Sequence, residues 1–164
     1  MLATVAFTLF GALLLFTVDN FLYALPALIL YAMLVINTYF SIRCFSSITP
    51  ENDNMAKIVD IGLALLYLAL ALKFNDIRHF LVIALFLLEL ATVKYIMLLG
   101  ISAPKHRNLV QNKILLETLG VISCSIALTL ALLGYTSFSI WFLALLLLNA
   151  NIYLIILRPF YKIE

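Results

Sequence analysis

Glu89 and Lys94 are the side chains here best placed to do chemistry, because both stand inside an apolar run. Residues 77–100 read IRHFLVIALFLLELATVKYIMLLG, with Glu89 near the middle and Lys94 a little over one turn later. About 20 apolar residues at ~1.5 Å each cross a bilayer as one helix, so the run is long enough. A charge at that depth costs at least roughly 2.5–3.5 kcal/mol unless it is paired, neutralised or hydrated. Lys94 is a poor same-face partner, since its spacing turns it about 140° round the helix from Glu89. Three readings of Glu89 follow. It is a protonatable carboxyl that binds a cation or proton in a transporter or channel. Or it is a neutral acid, favoured by desolvation and hydrogen-bonded to Tyr31, Tyr67, Ser123 or Asn149. Or it meets a charge on a partner subunit.

The other polar groups of the apolar runs fall into two layers. Asn37, Asp60, Lys94, Glu117 and Asn151 belong to the third of the membrane nearer one face, and Tyr31, Tyr67, Ser123, Cys124, Ser125 and Asn149 join Glu89 near the midplane. Membrane helices turn such groups inward, where they satisfy one another. Two carboxylates around one amine suit an ion or headgroup site. They equally suit a salt-bridge cluster, with Lys94 between Asp60 and Glu117, that holds helices in register.

Gly120, Cys124, Ala127, Ala131 and Gly134 recur at spacings of three and four, a small-residue stripe that lets another helix approach closely. Internal packing is the expected use of it. Residues 63–72 and 143–148 are instead expected to face lipid or a partner.

No signature of catalysis accompanies these groups. No His/Glu pair has zinc spacing, and neither a Gly-x-Ser-x-Gly elbow nor a glycine-rich phosphate loop occurs. His79 and His106 fall at opposite membrane faces, so they cannot share a metal. Cys44 and Cys124 form no redox motif and differ in depth by more than a disulfide spans, which predicts free thiols. The expectation is a protein that is not an enzyme, with no metal and no cofactor.

The elements that must position these residues follow from composition. Of the 164 residues 66% are hydrophobic and 11% charged, with a mean hydropathy of +1.17. A water-exposed domain carries about 25% charged residues, so the outer solvent of this chain is lipid. The net charge of +2 comes from scattered residues and does not suit nucleic acid. Six spans are expected, at about 2–18, 21–42, 56–72, 77–100, 113–133 and 138–157. The first lacks the basic lead and cleavage site of a signal peptide and reads as a retained span. The third, short and carrying Asp60, is the weakest, and a five-span reading would lay the first or third along the interface.

Short turns at 19–20, 73–76 and 134–137 pair these runs as three consecutive αα-hairpins in one all-α integral membrane domain. Polar loops at 43–55 and 102–112 link the hairpins. In the first, Thr49-Pro50-Glu51-Asn52 is a turn or the cap of the next helix, and Arg158-Pro159 stops the last span. Basic residues set the orientation. With both termini cytoplasmic, Arg43, Lys57, Lys105, Arg107, Lys113, Arg158 and Lys162 lie inside and only Lys73 and Arg78 outside, as expected in a plasma or inner membrane. A faint repeat supports tandem hairpins: Lys57-Ile-Val-Asp60 against Lys113-Ile-Leu-Leu-Glu117, and Asn37-x-Tyr39 against Asn151-x-Tyr153, with Tyr95 departing from it.

These features predict a non-catalytic accessory or scaffolding subunit, embedded in the bilayer beside other membrane subunits. A small transporter or ion or proton channel using Glu89, with Asp60, Lys94 and Glu117 at its mouth, is the alternative. A binder or sensor of a lipophilic ligand is the third.

Overall fold

Hydrocarbon offers no partner for a backbone N–H or C=O, so a segment that enters it must close its own hydrogen bonds. The computed structural model describes residues 2–49, 53–157 and 160, and these form helices and turns with no strand among them. Six α-helices follow in order. They are α1 (Leu2–Leu14, continued by a 3₁₀ turn at Leu15–Thr17), α2 (Phe21–Phe45), α3 (Asn54–Ala71), α4 (Ile77–Ile101), α5 (Pro104–Leu132) and α6 (Thr136–Asn151). A π-helical segment, Ile152–Leu157, extends α6. Five of these runs, from α2 through α6 with its extension, are long and apolar enough to cross a membrane.

The shortest helix is α1; the 18 residues of α3 qualify as a span, although they are the shortest and least apolar of the five. Thirteen α-helical residues and a three-residue 3₁₀ turn rise only ~26 Å, against ~37 Å for the 25 residues of α2. The second polar loop is also corrected. Residues 104–112 are helical, because Pro104 sits at the first helical position and polarity bars a segment from lipid, not from a helix. Asn20, Asp53 and Asp76 cap α2, α3 and α4 by accepting hydrogen bonds from first-turn N–H groups. Pro50, Glu51 and Asn52 lie outside the described residues, as do Arg158, Pro159 and Lys162.

The broadest packing joins α4 to α5; α2 packs on α6, α5 on α6, and α3 on α4. Gly120, Cys124, Ala127 and Ala131 are all buried. Leu88 lies over Gly120, and the Cys124 thiol donates to the Leu81 carbonyl at 3.6 Å, so this stripe is the seam with α4. Gly134 is not part of it. Its φ of +100° follows the end of α5, where its N–H reaches the Ala131 carbonyl and the Tyr135 N–H the Leu130 carbonyl. That is a Schellman stop, for which glycine suits the left-handed residue. Leu70, Ala71, Leu143 and Ala144 are buried too, so the runs expected to face lipid do so only in part, through residues such as Leu65 and Leu145.

Consecutive α2 and α3 share no broad contact; α1 lies against both. Phe7 stacks on Tyr67 with ring centres 4.8 Å apart, and the Tyr31 hydroxyl donates to the Phe7 carbonyl at 2.9 Å. Gly11 makes this approach feasible, since a Cβ there would stand 2.5 Å from Tyr31 Cε1. At the end of α1, the Asn75 amide donates to the Thr17 carbonyl at 3.0 Å and to the Asp19 carboxylate at 3.1 Å, tying two turns together.

Candidate functional site

Toward the opposite end from that clip, polar side chains of α2, α3, α4 and α5 converge. Lys113 and Glu117 stand one turn apart on α5 and form an ion pair of 2.7 Å, with side chains only 2% and 6% exposed. The Lys113 ammonium also donates to Asn37 Oδ1 at 3.2 Å and lies 5.4 Å from the centre of the Tyr95 ring. Cys44, Phe45, Tyr95, Leu98 and Val110 form a second apolar cluster around this end of the bundle. A buried pair with further hydrogen-bonding partners is the form in which two charges survive desolvation.

Lys94 pairs with Asp60 at 2.5 Å, with side chains 22% and 49% exposed. The expected cluster of Lys94 between two carboxylates therefore resolves into two separate pairs, because Glu117 has a nearer cation on its own helix. Lys113, read from sequence as an inner-face surface charge, is buried. The signal was its i, i+4 spacing to Glu117, which a helix places on one face.

The two pairs border a cavity of about 480 Å³ between α2 and α3, backed by α4. Phe7 of α1 and Tyr67 of α3 line it; Leu34, Leu63, Leu87 and Leu88 are among its apolar walls. Asn37, Thr38, Asp60, Lys94 and Glu117 line it as well, and Asp53, Lys57 and Thr49 lie toward the helix ends. The Tyr67 hydroxyl donates to the Leu34 carbonyl at 3.0 Å and shares a short hydrogen bond with Thr38. One end of the space is thus apolar and aromatic, the other polar and charged.

Glu89 does not line it. It is exposed on the outer face of α4, twelve residues from either end, about 18 Å at 1.5 Å per residue. Among the described residues it makes no hydrogen bond or ion pair. The hydrogen-bonding partners expected for it are engaged elsewhere. Tyr31 and Tyr67 bond as above, Ser123 donates to the Leu119 carbonyl at 2.8 Å, and Asn149 to the Leu145 carbonyl at 2.8 Å.

Asn151 is buried and donates to the Met33 carbonyl at 3.3 Å, joining α6 to α2. The repeat-related residues therefore do unlike work: Asn37 serves Lys113, whereas Asn151 serves a backbone carbonyl. Tyr95 is buried beside an ammonium, whereas Tyr153 is exposed. Cys44 and Cys124 are free and buried. Among the described residues no three His, Cys, Asp or Glu side chains gather as a metal site would need.

At the clip end, Asp76 Oδ2 lies 2.6 Å from His79 Nδ1. Slight burial pushes the Asp76 carboxyl up, but the His79 backbone N–H, the His79 ring and the Lys73 ammonium outweigh it and hold the group below its usual range.

No protein-family model, curated protein or solved structure matches this chain. Functional inference rests on the geometry above.

Proposed function

We propose that this chain is a non-catalytic accessory or scaffolding subunit of a larger membrane assembly, and that α4 is the helix that docks. Glu89 carries the reading. An ionised carboxylate facing lipid at mid-depth costs at least roughly 2.5 kcal/mol, and a neutral one still forfeits its hydrogen bonds to water. A partner helix bearing a cation or a hydrogen-bond donor at the same depth removes that cost. The neighbours of Glu89 suit a helix seam: Phe86, Val93 and Ile96 are each about half exposed and recur with it at spacings of three and four.

The architecture proposed with this function is six spans in three hairpins, with α1 as a short first span and both termini cytoplasmic. The basic residues support that orientation even with Lys113 withdrawn into the interior, since Arg43, Lys57, Lys105 and Arg107 remain at one end against Lys73 and Arg78 at the other. A transporter or channel coupled through Glu89 has less support, because its coupling carboxyl and the polar cavity lie on different sides of α4.

Native mass spectrometry after mild-detergent purification from native membranes tests the subunit reading. Wild type is expected to carry a stoichiometric foreign subunit that Glu89→Leu releases, while the variant chain itself remains folded in lipid. A wild-type chain that emerges alone, or a partner fully retained by Glu89→Leu, overturns it.

A further inference from the structure

We infer that the cavity between α2 and α3 binds an anionic amphiphile: one acyl chain within the membrane and a carboxylate or phosphate head beside Lys57. The proposal is independent of docking through α4. A volume of about 480 Å³ falls in the range of small-molecule sites, roughly 300–1,000 Å³. Phe7 and Tyr67 close one end of it, and α2 and α3 share no broad contact. A ligand reaching such a slot from the bilayer is itself amphipathic.

Charge selects the head. Three carboxylates line the cavity, and each is already engaged: Asp53 by the N–H groups of Met55 and Ala56, Asp60 by Lys94, and Glu117 by Lys113. Of the two lining ammonium groups, Lys94 is paired with Asp60, whereas Lys57 has no ion-pair partner among the described residues. Lys57 is therefore the lining ionic group that neither a described side chain nor a backbone N–H engages. It stands in the first turn of α3, four residues on from the Asp53 cap. The apolar walls take the chain, and the aromatic pair sets its depth.

Three probes test this on the full chain, by native mass spectrometry in mild detergent: oleate, a phosphatidylglycerol, and a phosphatidylcholine with the same chains. Saturable 1:1 binding of oleate or phosphatidylglycerol is expected, with phosphatidylcholine weaker. Lys57 is exposed, so Lys57→Gln should fold normally and weaken the anionic probes about fivefold, the effect of one basic residue near a headgroup. Ala91→Phe, which places a ring in the cavity, should abolish binding. Oleate alone identifies a free carboxylate as the ligand class, phosphatidylglycerol alone a phosphodiester lipid, and binding of both the shared anionic chemistry. Absence of binding, equal binding of all three probes unmoved by Lys57→Gln, or full binding in Ala91→Phe overturns the proposal.

Discussion

Replacing Glu117 with leucine would strand the Lys113 ammonium in a site where only 2% of that side chain meets solvent. The Asn37 carbonyl oxygen at 3.2 Å and the Tyr95 ring at 5.4 Å would remain, but both are present in the wild type and so do not offset the loss. Breaking one partner of a buried pair costs about 3–5 kcal/mol, and Lys113→Met should cost as much by exposing the carboxylate's need for a cation. The double variant removes both charges and leaves apolar side chains of similar length in an apolar surrounding. It should lie within ~1 kcal/mol of wild type, or exceed it. The two singles therefore sum to far more than the double, with a coupling of several kcal/mol. Reversible unfolding in mixed micelles, followed by far-ultraviolet circular dichroism, reads all four proteins. The half-exposed Lys94–Asp60 pair is the internal control, expected to couple by less than about 1 kcal/mol. If Glu117→Leu costs no more than that control, or the double variant is as weak as the worse single, the buried-pair account fails.

Two further outcomes follow from local geometry. Gly11→Ala would drive a methyl against the Tyr31 ring, weaken its bond to the Phe7 carbonyl and loosen α1, at about 1–3 kcal/mol. Faster proteolysis within residues 2–17, with the other helices protected, would show it, and an unchanged digest would refute it. Asp76→Ala removes the cap of α4 at a cost of about 1 kcal/mol. Because the folded carboxyl sits below its usual range, that contribution is complete above about pH 4 and fades as pH falls through the lower folded value. Wild type and variant should converge in acid, and a gap that persists undiminished at pH 2 contradicts the assignment.

The helical membrane class was legible because hydropathy over 20 residues is a strong signal, and the turns at 19–20 and 73–76 were legible from their polar residues. The start of α5 was not. Outside the bilayer a polar segment is free to be helix or loop, and the spacing of Pro104 as a first helical residue is too weak a mark to decide. For Glu89 the position midway along a long apolar helix was readable but the facing was not. Facing depends on how α4 is rotated, and the small-residue seam of α5 sets that by drawing Leu81, Ala84 and Leu88 inward. Glu89 follows Leu88 by about 100° and so turns outward. Lys113 was misplaced because it was taken to mark the edge of a span, although Glu117 one turn on already offered it a buried partner.

The contacts of α1 bear on the order in which the protein is built. Its partners are Tyr31, close behind in the chain, and Tyr67 and Asn75, some 60 residues later. At about 5–20 residues per second, α1 waits roughly 3–12 s after its own synthesis for α3 to emerge. Through that interval α1 has only α2 to hold it, and Asn75 cannot yet clip the two turns. The gap between α2 and α3 is thus a late product of assembly, shaped only when the fourth helix has begun to follow the third into the bilayer.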